Sequence, residues 1–97
     1  MDLSGRWRFE NGIPIFDVVH EPVDSSRFKF ERFDGEKQSF HGHGVIVDCR
    51  IVMSWRSTLW LGHGSDESKE IKTDAITGKP IEIHWHGSAP TWMTLSN

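Results

Sequence analysis

The feature that most constrains this chain is a repeated alternation of apolar and polar residues. Trp7 and Phe9 alternate with charged residues, and Phe28 and Phe30 do the same further along the chain. Alternation with a period of two places the apolar side chains on one face of a β-strand. Apolar residues at helical spacing do not extend over any useful length. We therefore predict that the chain is almost entirely β.

Turn signals separate the alternating segments. Asn11-Gly12 and Asp34-Gly35 are residue pairs that readily adopt the positive φ angles of tight hairpins. The polar, glycine-containing segment from Gly62 to Ser68 predicts a loop. About eight short strands with closely spaced turns predict a small antiparallel meander barrel, with a β-sandwich as the alternative. Closure favours the barrel because it removes exposed sheet edges.

Length and charge limit the function classes. The 97 residues predict a single β-barrel domain over 1–97. The net charge is −3, and the two signs are interspersed, so no basic stripe predicts a nucleic-acid partner. No apolar run reaches the length of a membrane span, which predicts a soluble protein with no membrane partner. The single Cys49 and a start without signal-peptide features predict a cytoplasmic location. The oligomeric state is left open.

The N-terminal segment carries a short motif. Leu3-Ser4-Gly5-Arg6-Trp7 brings a Gly-x-Trp sequence into the first predicted strand. This start, followed by a meander, resembles that of the calycin group, which comprises lipocalins, fatty-acid-binding proteins and avidin-like barrels. The resemblance implies that Trp7 closes one end of a barrel that holds a small apolar ligand.

The aromatic residues predict both a core and a binding surface. The chain contains five Trp and six Phe, and the rings in phase with Ile and Met belong to the core. A barrel of about eight strands can also keep an interior lined by such rings. Trp60 and Trp92 lie beside turn residues and are expected to plug a barrel end or to contact a partner. The candidate ligand-binding residues are Trp7, Phe28, Phe30, Trp55 and Trp85.

Four of the six histidines form two His-x-His pairs. Residues i and i+2 of a strand share a face and lie about 7 Å apart, so each pair could present two imidazoles to one ion. The candidate metal ligands are His41, His43, His84 and His86, and the candidate metals are Zn²⁺ or another divalent transition metal. Strand alternation places His84 and His86 on the face opposite Ile81 and Ile83, but it does not decide whether His41 and His43 face inward or outward. The plainer interpretation is that the histidines are polar residues on an outer face.

Three functions stay open at this point. The sequence assigns no catalytic residue, because spacing alone places no acid–base pair within hydrogen-bond reach, and it favours binding over catalysis. The first hypothesis is a small module that holds an apolar or aromatic ligand inside the barrel or at its mouth. The second is a metal-binding protein or metal-dependent enzyme that uses the two His-x-His pairs. The third is a protein-interaction domain with a filled core.

Overall fold

The computed structural model describes residues 1–58 and 62–95. Eight antiparallel strands follow one another around a closed barrel, and the last strand pairs with the first. This confirms the predicted all-β meander barrel and excludes the sandwich. Across the two described ranges, no helix is long and apolar enough to span a membrane. The strands are β1 (Gly5–Phe9), β2 (Ile15–His20), β3 (Arg27–Asp34), β4 (Lys37–Val47), β5 (Arg50–Ser57), β6 (Gly62–Thr73), β7 (Pro80–Trp85) and β8 (Trp92–Thr94).

Alternating strand directions give the barrel two distinct ends. The closed end contains residues 1–4 and the connections 21–26, 48–49 and 74–79. The cleft end contains the connections 10–14, 35–36 and 86–91. Gly12 and Gly35 have φ angles of 92° and 67°, as their predicted hairpin turns require.

The barrel interior is packed with aromatic rings. The rings of Phe16, Phe30 and Trp85 surround Trp92 with centroid distances of 4.8, 4.9 and 5.0 Å. These contacts are edge-on, the arrangement that aromatic quadrupoles favour. The buried apolar residues are Leu3, Trp7, Phe9, Phe16, Val18, Phe28, Phe30, Phe40, Ile51, Met53, Ile83, Trp85 and Trp92.

Glycines on β4 make room for the rings of β3. Gly42 pairs with Phe30, and Gly44 pairs with Phe28. A Cβ atom added at either glycine would overlap the paired phenyl ring. The missing side chains therefore let each ring lie against the backbone of the neighbouring strand. The histidines that alternate with these glycines consequently lie on the outer face.

The predicted loop over 62–68 is wrong, because this segment forms the first half of β6. Its small and polar residues pair with β5 in continuous register, with Ser65 opposite Ser54. The Ser68 hydroxyl accepts the Ile51 N–H at 2.9 Å and so takes part in the strand pairing. A strand whose inner face carries Gly, Asp and Ser has no apolar alternation to reveal it.

Ile81 does not share the inner face with Ile83 as predicted. Lys72 pairs with Glu82, and the next residue of β6 pairs with Pro80, so β7 has one extra residue at position 81. Such a bulge reverses the side-chain phase locally. Ile81 is consequently 39% exposed, whereas Ile83 is fully buried.

Candidate functional site

An apolar cleft of about 230 Å³ opens at the cleft end of the barrel. Aromatic side chains from four strands form its walls, and the connection between β7 and β8 forms its rim. The lining residues are Phe9, Phe40, Met53, Trp55, Ser88, Ala89, Pro90 and Trp92.

Strand pairing brings the floor of the cleft together. Phe9 ends β1 and pairs directly with Trp92, which begins β8. The Phe9 ring also meets Phe40 of β4 at a centroid distance of 5.6 Å, edge to face. Trp92 is 1% exposed, which agrees with its predicted role as a plug of a barrel end. The floor of the cleft is therefore continuous with the buried core.

Trp55 forms a wall of the cleft and is only partly buried. Its indole lies over Gly64 of β6, where an added Cβ atom would come within 2.8 Å of Trp55 Cζ2. Glycine at this position allows the ring to lie flat against the backbone. Among the described residues that line the cleft, Trp55 is thus the large ring that is only partly buried.

Asp66 holds the rim of the cleft in place. Gly87 and Ala89 donate their backbone N–H groups to the two carboxylate oxygens of Asp66, at 2.7 and 3.4 Å. The backbone of Glu67 donates to the same carboxylate at 3.0 Å. Charge-assisted bonds of this kind are stronger than neutral ones. Asp66 escaped the sequence analysis because its segment was assigned to a loop.

The predicted ligand-binding residues do not all reach the cleft. Trp55 lines it, whereas Trp7, Phe28, Phe30 and Trp85 are core residues with 0–6% exposure. Trp60 lies outside the described residues. The predicted aromatic set therefore contains one residue of the cleft and four residues of the core beneath it or further along the barrel.

Hydrogen bonds seal the closed end. The indole N–H of Trp7 donates to the Leu3 carbonyl at 2.8 Å. Leu3 is fully buried, and its backbone N–H donates to Nε2 of His20 at 2.8 Å. Because Nε2 accepts a bond, the proton of the neutral ring is on Nδ1, which lies 2.7 Å from the Ser25 carbonyl. His20 therefore joins the N-terminal segment to the connection between β2 and β3.

Three carboxylates at the closed end are more acidic than usual. Hydrogen bonds from the hydroxyl and the backbone N–H of the serine two residues later lower the pKa values of Asp2 and Asp24. The backbone N–H groups of Thr77 and Ile76 lower the pKa of Asp74. A carboxylate that accepts such bonds is favoured in its charged form. These acidic groups organise the turns at this end.

The structure does not bring the two His-x-His pairs together. His41 and His43 lie on β4, whereas His84 and His86 lie at the end of β7, and β5 and β6 separate them. His84 Nε2 lies 3.2 Å from a carboxylate oxygen of Glu82. Within 1–58 and 62–95, no three His, Cys, Asp or Glu side chains are grouped so as to hold a metal ion. Metal binding by the four histidines stays a prediction.

A second groove, of about 310 Å³, crosses the outer face of β4, β5 and β6. His41 pairs directly with Arg56, which pairs directly with His63 on the next strand. In the adjacent row, the His43 ring lies 3.3 Å from the Ser54 hydroxyl. This groove joins a histidine of the first predicted pair to His63, which the sequence placed in a loop.

Apolar side chains are also exposed on β2, on β3 and in the connection that precedes β2. Ile13 is 65% exposed, Ile15 is 42% exposed and Phe33 is 53% exposed, and they line one shallow groove. The charged residues Arg6 and Asp17 line the same groove and form an ion pair at 3.2 Å. The predicted protein-interaction function stays a prediction.

Comparison with known proteins gives no family to which these sites can be assigned. The chain matches no protein-family model, no curated protein and no solved structure. The eight-stranded barrel agrees with the barrel that the Gly-x-Trp start implies, whereas membership of the calycin group stays a prediction.

Proposed function

We propose that this protein is a binding module that holds a small aromatic or apolar molecule in the cleft at the cleft end of the barrel. The observation that carries the proposal is the apolar cleft that the described residues form beside Trp55, whose floor continues into the buried ring cluster. Binding pockets are typically concave and mostly apolar, with few polar groups that fix orientation. This cleft has that composition.

The size of the cleft favours a ligand with one or two rings. A cavity of about 150 Å³ accepts benzene, and the cleft measures about 230 Å³. A single or fused ring can contact the partly buried Trp55 above the buried Trp92. Among the described residues, Phe16 and Phe30 beneath the floor are at most 1% exposed, which favours a compact ligand over a long acyl chain.

The lining supports binding and not acid–base catalysis. The eight residues that line the cleft carry no titratable side chain among the described residues, and the Ser88 hydroxyl supplies a polar group at the rim. General acid–base chemistry needs a titratable group within hydrogen-bond reach of the reacting atom. Orientation of the ligand therefore depends on ring contacts and on one hydroxyl group.

Indole is a suitable probe, because its fused rings match the cleft. The methyl groups of Met53 and Ala89 face the cleft and serve as NMR reporters during an indole titration. Ala89→Leu fills part of the cleft, and we expect it to weaken indole binding by about tenfold or more. The chain's other alanine, Ala75, is exposed at the closed end, so Ala75→Leu is the matched control and should leave binding unchanged.

Two results would contradict the proposal. One is an indole titration that leaves the Met53 and Ala89 methyl signals unmoved. The other is equal weakening of binding by Ala89→Leu and Ala75→Leu. Urea unfolding of both variants verifies that any loss of binding does not reflect loss of the fold.

A further inference from the structure

Three basic side chains form one row on the outer face of the barrel. His41, Arg56 and His63 are direct partners across β4, β5 and β6. Paired residues on adjacent antiparallel strands have Cβ atoms about 4.5–5.5 Å apart, so the guanidinium side chain lies between two imidazoles. The same residues line the groove of about 310 Å³.

The stability of the barrel does not account for this row. Cross-strand partners stabilise a sheet through apolar contacts or opposite charges, and the two imidazole partners of Arg56 provide neither. In the part of the chain that the structure describes, Arg56 forms no ion pair, whereas Arg6 pairs with Asp17 at 3.2 Å and Arg50 pairs with Glu67 at 2.9 Å. Within the described ranges, the groove therefore contains a guanidinium group without a carboxylate partner, although the chain carries a net charge of −3.

The adjoining strand places one charge of each sign beside the row. Glu31 of β3 is the direct partner of His41, and one of its carboxylate oxygens accepts a hydrogen bond from Gln38 at 3.1 Å. Lys29 of the same strand is the direct partner of His43 and adds positive charge beside the groove. Arg56 and His63 lie one and two strands further from the Glu31 carboxylate than His41 does, so an anion is held mainly at Arg56.

We propose that His41, Arg56 and His63 bind a doubly negative tetrahedral oxyanion, either the free ion or the phosphate group of a small molecule. Arginine presents parallel N–H donors that match two oxygens of such a group. Each imidazole adds an N–H donor from one side. This site lies on the outer face and does not rest on the proposed cleft function.

The test is a titration with inorganic phosphate at pH 6 and constant ionic strength, followed by the imidazole C–H signals of His41 and His63 in NMR spectra. We expect both signals to shift together and to saturate. Arg56→Gln removes the charge-assisted bonds and should weaken binding by about tenfold or more. Arg6→Gln removes the same charge from the outer face of β1 and should change the affinity by less than about twofold, because salt screens distant charges.

The absence of a saturating shift would overturn the proposal. Equal weakening by Arg56→Gln and Arg6→Gln would also overturn it, because a general charge effect would then explain the binding. A parallel titration with phenyl phosphate distinguishes a free ion from a phosphorylated small molecule as the ligand. Tighter binding of phenyl phosphate supports a phosphorylated small molecule, and tighter binding of inorganic phosphate supports the free ion.

Substitution isolates the contribution of the imidazoles. His41→Gln and His63→Gln each remove one ring donor, and we expect each to weaken the binding of phosphate and of sulfate several-fold. Unchanged affinity in both variants would remove His41 and His63 from the site. Zn²⁺ is the competing probe. Stoichiometric shifts of both histidines with Zn²⁺, but none with phosphate or sulfate, would overturn the oxyanion site in favour of a metal site.

Discussion

The two ends of the barrel use their polar groups in opposite ways. At the closed end, His20 and the Trp7 indole bond to the main chain of Leu3, which is fully buried. Lys79 reaches across this end and donates to the Ser4 carbonyl at 2.8 Å. At the cleft end, the Asp66 carboxylate accepts hydrogen bonds from the backbone N–H groups of Gly87 and Ala89 and so fixes the rim of the apolar cleft.

This difference predicts that stability depends mainly on the closed end of the barrel and that ligand binding depends on the cleft end. Buried rings and satisfied polar groups at the closed end contribute to the free energy of unfolding, since both lose favourable contacts when the chain unfolds. At the cleft end, Trp55 is only partly buried and lines the cleft, whereas Trp92 is buried in its floor. Substitutions at the closed end should therefore reduce stability, and substitutions at the cleft end should reduce binding.

The largest expected effect contrasts two tryptophans. Trp7→Ala removes a fully buried ring and a hydrogen bond at the closed end, and we expect a loss of about 3–5 kcal/mol in the free energy of unfolding. Trp55→Ala removes a partly exposed ring, so its loss should be smaller by about 1 kcal/mol or more. Urea unfolding measures both, and indole titration should show that Trp55→Ala abolishes binding. Equal stability losses would contradict the division between the ends.

A smaller effect separates two glycines that lie under aromatic rings. In Gly44→Ala, the new methyl group overlaps the buried Phe28 ring, and we expect a loss of about 1–3 kcal/mol. In Gly64→Ala, the methyl group meets the Trp55 indole, which lines the cleft and is less buried than the Phe28 ring. The stability loss should then be smaller, and indole binding should weaken. A larger stability loss for Gly64→Ala than for Gly44→Ala would show that Trp55 is held as rigidly as the core.

Alternation predicted the fold wherever apolar side chains themselves face inward. Trp7, Phe9, Phe28 and Phe30 all lie on the predicted inner face. The first half of β6 escaped prediction because its inward positions hold small or polar residues such as Gly64, whose ring partner comes from another strand. That pairing depends on register between distant segments, which local periodicity does not contain.

The candidate site was predictable only in part for the same reason. Trp55 was predicted as a ligand contact from its apolar phase. Predicting the contribution of Asp66 would have required knowledge of its contact with Ala89, 23 residues later in the chain. Predicting the row through His63 would have required the register of two successive strand pairings. Residue types were visible in the sequence, whereas the juxtapositions arise from closure of the barrel.

The smallest expected effect is a loosening of the closed end in acid. The folded pKa values of Asp2, Asp24 and Asp74 lie below the ordinary carboxyl value of 3.8, because each charged group accepts local hydrogen bonds. A lowered folded pKa stabilises the fold above the unfolded pKa, and this stabilisation is lost as the pH falls through the folded value. We therefore expect the urea concentration at the midpoint of unfolding to decrease as the pH is lowered below about 4.

An asparagine variant tests whether the carboxylates of the closed end cause this acid sensitivity. Asp74→Asn keeps an oxygen that can accept the backbone bonds but removes the charge that strengthens them. Its stability penalty should be present at pH 6 and shrink at pH 3, because the carboxyl group of the unfolded wild type, with its ordinary pKa of 3.8, is then largely protonated. Amide signals of residues 24–26 and 74–78 should shift in acid before the Met53 methyl signal at the cleft end. A penalty that is the same at both pH values, or a cleft signal that changes first, would mean that these carboxylates do not set the acid response of the barrel.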